Sequence, residues 1–414
     1  MANTFNLGNG SWAQKTEKLL AYNAENDNYK PLPFDFDRAS TATRVNRDGL
    51  IETVGVDEPR IDFLNNTKGH LLLELSRTNL VTYSEDFSQS VWDTWQATKT
   101  LSNNINPKGT SGYYEISHTG SSTDNPNTRL RNVSLNGSYT LSAFIKINQS
   151  RYISLSIVDY DGDKARVYFD TINKTFTTVD NVGSPITNTS YSEFPNGWIR
   201  ISLSVNLLNA VYNEVGIGIY NPSGSFPSAS GEVISVFGGQ LEDGSYATSY
   251  IPTSGSAVTR SAETCNGAGN STVFNDSEGV LYAEIAALAD DGTARTISIN
   301  NTVSNRVFLQ FRSASGQVNS GVVVGGSLQG SAMNYSTSQT LYTKLAIKYK
   351  ENDFALWVNG IEIGTSVGNV FSSGTLNDLS FDSGDGAEDF YGKVKDLKVY
   401  NTALTDAELI ALTS

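Results

Sequence analysis

Residues 138–147 read SYTLSAFIKI, and this ten-residue run decides the fold. Tyr139, Leu141, Ala143, Ile145 and Ile147 occupy every second position, with mostly polar residues between them. A period of two predicts a strand with one buried face and one wet face. The pattern then repeats. Residues 151–159 (RYISLSIVD) alternate in the same way, and Asp161-Gly162 supplies a tight turn into 164–170 (KARVYFD). Asn173-Lys174 turns into TFTTV, and WIRISLSV (198–205), VGIGIY (215–220) and VISVFGGQL (233–241) follow. Short alternating runs separated by turn formers predict an antiparallel sandwich over residues 79–255.

Working outward toward the C-terminus, residues 256–279 form a linker rich in small and polar residues. From residue 280 a second set of strands begins: LYAEIAAL, RTISIN, NRVFLQFR, LYTKLAIKY, FALWVNG, LNDLSF and YGKVKDLKVYN. The last stretch, TDAELIAL (405–412), predicts a short helix, with Thr405 as N-cap and Glu408 three residues on as its capping-box partner. Toward the N-terminus, WAQKTEKLLAYN (12–23) has mixed character and suggests one short helix, ended by Pro31 and Pro33. The rest of residues 1–78 carries too little apolar material for a core of its own. We expect an arm or joining segment made rigid by packing on something else. The expected class is therefore all-β: two antiparallel jelly-roll or β-sandwich domains, 79–255 and 280–414, preceded by that segment.

Composition agrees. The 414 residues are 38% hydrophobic and only 17% charged, with 36 glycines, which suits strands and polar turns. A net charge of −14 disfavours a phosphate backbone or an anionic membrane as partner, and no apolar run is long enough for membrane insertion. The one cysteine, Cys265, precludes an intrachain disulfide. Only His70 and His118 are present, and both precede the C-terminal run. A His-rich zinc site, a Ser-His-Asp triad or a lyase-type His and Tyr set on the C-terminal sandwich therefore lacks material. No GxSxG, P-loop or GxGxxG stands at a strand-to-helix junction. These absences predict a chain that is not an enzyme.

Longer stretches carry three resemblances. LYTKLAIKYKENDFALWVNGIEIGT, LNDLSF and FYGKVKDLKVYNTALTDAELIAL contain, in order, a VNG hairpin, a glycine-led strand and a closing helix. Residues 280–414 thereby resemble the concanavalin A-like (laminin-G type) lectin/glucanase sandwiches. NLVTYSEDFSQSVW and VISVFGGQLEDG make residues 79–255 similar to carbohydrate-binding modules of the 4/9/22 type, with Gln240 near a position where that family often carries aspartate. RASTATRVNRDGLIETV, PRIDFL and GHLLLELSRTNLVTYSEDF resemble segments of bacteriophage tail-fibre and virion appendage proteins. That likeness implies a fibre or capsid-surface appendage assembled in the host cytoplasm and displayed on the virion surface. It would attach to other virion proteins through residues 1–78 and present its sandwiches to host or environmental glycans, as a homo-oligomer of the trimeric kind. The lack of an apolar secretory signal in MANTFNLGNGSWAQKTEK fits that expectation. A bacterial carbohydrate-binding adhesin and a polysaccharide-degrading enzyme are the alternatives.

Candidate ligand residues follow from chemistry. Trp92 and Trp95 lie close together after the opening segment and are candidate sugar platforms, and Tyr160 is a further candidate ligand residue; core packing is the competing reading for the tryptophans. Trp198 and Trp357 sit inside alternating strands and read as core. Asp159, Asp161 and Asp163 put three carboxylates on alternate positions, a donor set for structural calcium, although such a hairpin is also simply rich in turn formers. Glu85 and Glu242, with Asp86 and Asp243, would form a second calcium set if the opening and closing segments of the first sandwich are neighbours. Asp382, Asp385, Glu388 and Asp389 read as a solvated acidic turn.

Overall fold

The structure is a computed structural model. It describes the chain except residues 1–2, 16–17, 25–26, 30–32, 120–125, 147–149, 160–162, 184, 209–212 and 223–230. It divides into two compact units. One comprises residues 42–53 and 76–260, the other residues 1–41, 54–75 and 261–414.

In the first unit two six-stranded antiparallel sheets enclose the core. One runs Asp93–Trp95, Asn127–Val133, Asn213–Ile219, Tyr152–Asp159, Lys164–Asp170, Thr175–Val182. The other runs Ala97–Ile105, Ser111–His118, Val233–Asp243, Gly137–Lys146, Trp198–Leu207, Ile186–Glu193. Leu141, Ala143 and Ile145 point into the core against Ile153, Leu155, Val215 and Ile217, as the alternation requires. The other face of this strand is not wet. Thr140, Ser142 and Phe144 are also buried, and Phe144 packs with Trp198, Phe237, Tyr250 and Ile51 in a second apolar cluster. The hairpin Ala42–Val45 and Ile51–Val54 and the segment around Tyr250 close over it. Period two identified the strand but did not reveal that its polar side would be covered.

In the second unit, one sheet runs Ile361–Ser366, Phe354–Val358, Thr343–Lys350, Glu278–Ala287, Gly392–Tyr400, His70–Leu73, Ile61–Asp62, and Phe5–Gly8 also pairs with Gly392–Tyr400. A facing sheet runs Ser327–Leu328, Gln317–Val324, Asn305–Phe311, Arg295–Thr302, Asp378–Ser380, with Met333–Ser336 paired to Gln317–Val324. Residues 12–23 do not form the expected helix: Ala13–Lys15 and Lys18–Leu20 pair as an antiparallel hairpin, and Leu19 is buried in the core. The helix Asp406–Thr413 forms as expected, with the Thr405–Glu408 capping box, and buries Leu409 against Tyr282 and Trp357.

The two units do not coincide with the boundaries 1–78, 79–255, 256–279 and 280–414. The N-terminal segment has no core of its own, but it is divided between the units and supplies strands to them. Phe5, Leu7, Phe34, Phe36, Leu71 and Leu73 share one core with Leu281, Ile297 and Leu397. His70 is thereby placed within the C-terminal sandwich, contrary to the expectation drawn from its position in the chain. Sequence distance misled because an antiparallel sheet accepts a strand from anywhere in the chain that offers a matching apolar face.

Candidate functional site

In the sheet of the first unit that begins with Asp93–Trp95, the face turned away from the core carries two rows of residues. Ladder pairing sets Trp95, Asn127, Gly218, Ser154, Tyr168 and Thr177 in one row. Asp93, Arg129, Gly216, Ser156, Arg166 and Asp180 form the next. Alternate residues Leu130, Ile217, Leu155 and Val167 lie in the core, so these two rows face outward. The middle of each row is small. A Cβ at Gly218 would sit 2.5 Å from the Pro126 carbonyl oxygen, and one at Gly216 would sit 2.8 Å from Ser156 Oγ. Close approach therefore selects glycine there, and the result is a low floor of Gly216, Gly218, Ser154 and Ser156, recessed between larger side chains so that Ser154 and Ser156 are only 5% and 7% exposed.

Larger side chains flank that floor. Trp95, 44% exposed, stands on one side with the Arg129 guanidinium 5.2 Å from its ring centre. On the other side Tyr168 stacks on Tyr220 at 4.7 Å and 13°, and Tyr152 meets Tyr168 edge-on at 5.3 Å. At about 4.8 Å per strand, Trp95 and Tyr168 are separated by roughly 19 Å of sheet. The charges are internally matched. Arg129 bonds Glu214 at 2.8 Å and lies 3.3 Å from Asp93, and Arg166 lies 3.2 Å from Asp180. Arg151 bonds Asp170 at 2.7 Å, which holds that carboxyl down at about 2. Aromatic faces flanking a hydroxyl-lined floor suit a ligand with apolar faces and many hydroxyls.

The structure sorts the sequence candidates. Trp95 is on this face. Trp92 is not a platform: it is 1% exposed, stacks on Phe87 at 4.5 Å and donates from Nε1 to the Tyr83 carbonyl at 2.8 Å. Trp198 and Trp357 are buried, as expected. Tyr160 and Asp161 lie outside the described residues. Asp159 and Asp163 are nearly buried: the Asp159 N–H donates to the Asp163 carbonyl at 2.9 Å, and Asp163 Oδ2 accepts from the Leu208 N–H at 2.9 Å.

Glu85 and Glu242 each accept hydrogen bonds from the protein itself. Glu242 is fully buried and accepts from Thr248 N, Thr248 Oγ1 and Gln240 Nε2 at 3.0, 2.6 and 2.7 Å; burial, partly offset by Arg200, raises its pKa. Glu85 accepts from Lys108 and from the Tyr250 hydroxyl at 3.2 Å. Among the described residues no group of three His, Cys, Asp or Glu side chains could hold a metal ion. The acidic turn is less solvated than expected. Asp382 is 4% exposed, accepting from Asn266 Nδ2 at 3.0 Å, and its pKa is raised by burial.

Tyr152, Tyr168, Tyr220 and Arg129 were not singled out from sequence. Their signal was an aromatic or planar cation at the outward positions of otherwise alternating strands, as in RYISLSIVD and KARVYFD.

Comparison with known proteins bears on the second unit. Residues 270–410 match the family model of the concanavalin A-like lectin/glucanases superfamily. That unit carries a lectin-like β-sandwich. No curated protein matches the chain. Among solved structures, the CBM40 module of Ruminococcus gnavus IT-sialidase bound to α2,3-sialyllactose is 20% identical, with TM-score 0.30, covering 36% of this chain and 94% of that one. Trypanosoma rangeli sialidase in complex with sialic acid is 10% identical, with TM-score 0.28 and coverages of 72% and 59%. Domains LG4-5 of the mouse laminin α1 chain are 11% identical, with TM-score 0.24 and coverages of 69% and 89%. The expectation that the chain is not an enzyme is corrected and withdrawn. Sialidases stand among the similar structures, and the absence of His70 from the C-terminal sandwich, on which part of that expectation rested, does not hold. Likeness at this level assigns no activity to the chain.

Proposed function

We propose that the chain is a glycan-binding sandwich protein whose ligand lies across the outward face between Trp95 and the Tyr152, Tyr168 and Tyr220 cluster. The observation that carries this reading is the pair of outward rows, with a glycine and serine floor between aromatic flanks. Because Arg129, Arg166 and Arg151 are each already paired with a carboxylate, the face suits a neutral glycan read by stacking and hydroxyl contacts. The full chain, incubated with neutral and acidic oligosaccharide panels, tests it. Binding of a neutral glycan weakened about tenfold in both Trp95→Ala and Tyr168→Ala is expected; unchanged binding in both variants, or no binding in either panel, overturns the site. New reducing ends or unsaturated products in the same incubations would report turnover.

A phage virion setting, with attachment through the N-terminal tract and several copies per particle, is supported by the likeness of that tract alone. It would strengthen weak single-site binding through avidity. Mass spectrometry of purified particles checks it, and absence of the chain from every particle of a phage that encodes it would remove that setting.

A further inference from the structure

The facing sheet of the second unit carries a polar row unlike the aromatic one. Pairing aligns Asn334, Asn319, Gln310 and Thr296 across four strands, about 14 Å of sheet. Val318, Leu309 and Ile297 occupy the intervening positions and enter the core, so the row faces outward. At one end Glu388 Oε2 accepts from Gln310 Nε2 at 2.7 Å and Thr296 Oγ1 at 2.8 Å, and its carbonyl accepts the Thr296 N–H at 2.9 Å. Glu388 does so at φ 55°, a conformation that disfavours a side chain of this kind and is held only by its surroundings. The Glu388 contact uses the Gln310 amide as a donor, which leaves Gln310 Oε1 as an acceptor. At the other end Arg312 Nη1 donates to Asn334 Oδ1 at 3.2 Å and Gln317 Oε1 at 3.1 Å. Among the described residues Arg312 has no carboxylate partner, in contrast to the paired arginines of the first unit. Midway stands Asn319, whose Oδ1 is turned into the protein and, among the described residues, accepts no hydrogen bond, while its side-chain amide belongs to the outward row.

We propose that this row is a second ligand site, for an acidic glycan: a sugar carboxylate pairs with Arg312 while neighbouring hydroxyls bond Asn319 and Gln310. The planar guanidinium, with donors to spare beyond its two amide partners, is suited to a carboxylate. An uncompensated arginine on a chain of net charge −14 gives an acidic ligand one local point of attraction. The inference rests on the glycan reading above but concerns different residues and the opposite ligand charge.

The experiment uses the isotope-labelled full chain, titrated separately with α2,3-sialyllactose, trigalacturonate, lactose and cellotriose. The Asn319 side-chain amide and the Trp95 indole are followed by NMR. Saturable movement of the Asn319 amide by an acidic probe and not by the neutral ones is expected. So is at least tenfold weaker acidic binding in Arg312→Gln and in the isosteric Asn319→Asp. An Asn319 amide unmoved by both acidic probes, equal movement by neutral sugars, or undiminished affinity in both variants overturns the proposal. The Trp95 indole reports independently: its failure to move with neutral probes counts against the first site, while the second stands or falls with the Asn319 amide.

Discussion

Arg60 and Glu263 lie 203 positions apart and meet fully buried through paired hydrogen bonds, one of them 2.7 Å from Arg60 Nε to Glu263 Oε1. Arg38 Nη1 bonds the same Oε1 at 2.8 Å, Arg60 Nη1 bonds Glu74 Oε2 at 2.8 Å, and the Glu74 N–H donates to Glu263 Oε2 at 2.8 Å. Two arginines and two glutamates thus neutralise one another where no water can. This gives the tract 38–74 a structural reason for its RAS, PRIDFL and LLLEL residues. They close a buried charge network within the second unit.

Removing one member strands the others. Glu263→Gln is expected to destabilise the second unit by about 3–5 kcal/mol, because the buried negative charge that Arg38 and Arg60 share would be removed while Arg60 keeps only Glu74. Urea unfolding followed by circular dichroism measures this, and a loss below about 1 kcal/mol would contradict the assignment of the network as a unit.

The two neighbouring tryptophans should separate stability from binding. Trp92→Ala, emptying a packed site against Phe87, is expected to cost about 3–5 kcal/mol. Trp95→Ala should leave the melting temperature nearly unchanged while weakening neutral-glycan binding about tenfold, or about 1.4 kcal/mol. Differential scanning calorimetry and affinity electrophoresis of both variants provide the check; a reversed pattern would exchange their roles.

Stability should depend on His70 in mildly acidic solution. Its ring is 1% exposed, and burial, together with Lys393, Arg60 and Lys395, pushes its pKa down to about 3 from an unfolded value near 6.5. The unfolded chain therefore takes up the proton first. The contribution is complete above about pH 6.5 and is lost progressively as pH falls toward 3, by up to about 5 kcal/mol. Urea midpoints between pH 7.5 and 4 should decline less steeply in His70→Gln than in the parent, and identical slopes would exclude this role.

Freeing Arg129 should change what the outward face accepts. Asp93→Asn combined with Glu214→Gln removes both carboxylates from Arg129. The pair of substitutions is expected to add binding of an acidic oligosaccharide at this face, weakened by salt, while neutral binding persists. Titration at low and high ionic strength, with the Trp95 indole as reporter, reads it. No gain of acidic binding would mean that ion pairing does not set the charge preference.

Much of the strand inventory was legible in the chain. Runs such as RYISLSIVD, WIRISLSV and NRVFLQF announce themselves because one buried face imposes a period of two, and each is a strand in the structure. The hairpin at 13–20 was not legible: three-residue strands carry too few alternations to distinguish them from a helical turn. Of the outward face, Trp95 was visible as a candidate, whereas Tyr152, Tyr168 and Tyr220 are scattered over 69 positions of chain and look like ordinary strand aromatics until pairing aligns them.

The amino-acid order by itself determined that this is an all-β chain, that residues 280–414 resemble a lectin-like sandwich, and where many of the longer strands lie. Those properties are local, written in the alternation of apolar and polar residues and in turn chemistry. Only the tertiary structure decided that residues 1–41 and 54–75 complete the C-terminal unit, that Trp92 is core while Trp95 is surface, and which arginines are neutralised. Those outcomes depend on which distant strands lie side by side. Strand pairing is mediated by backbone hydrogen bonds that every sequence offers alike, so partner choice is resolved only when whole apolar faces and buried charges are matched together.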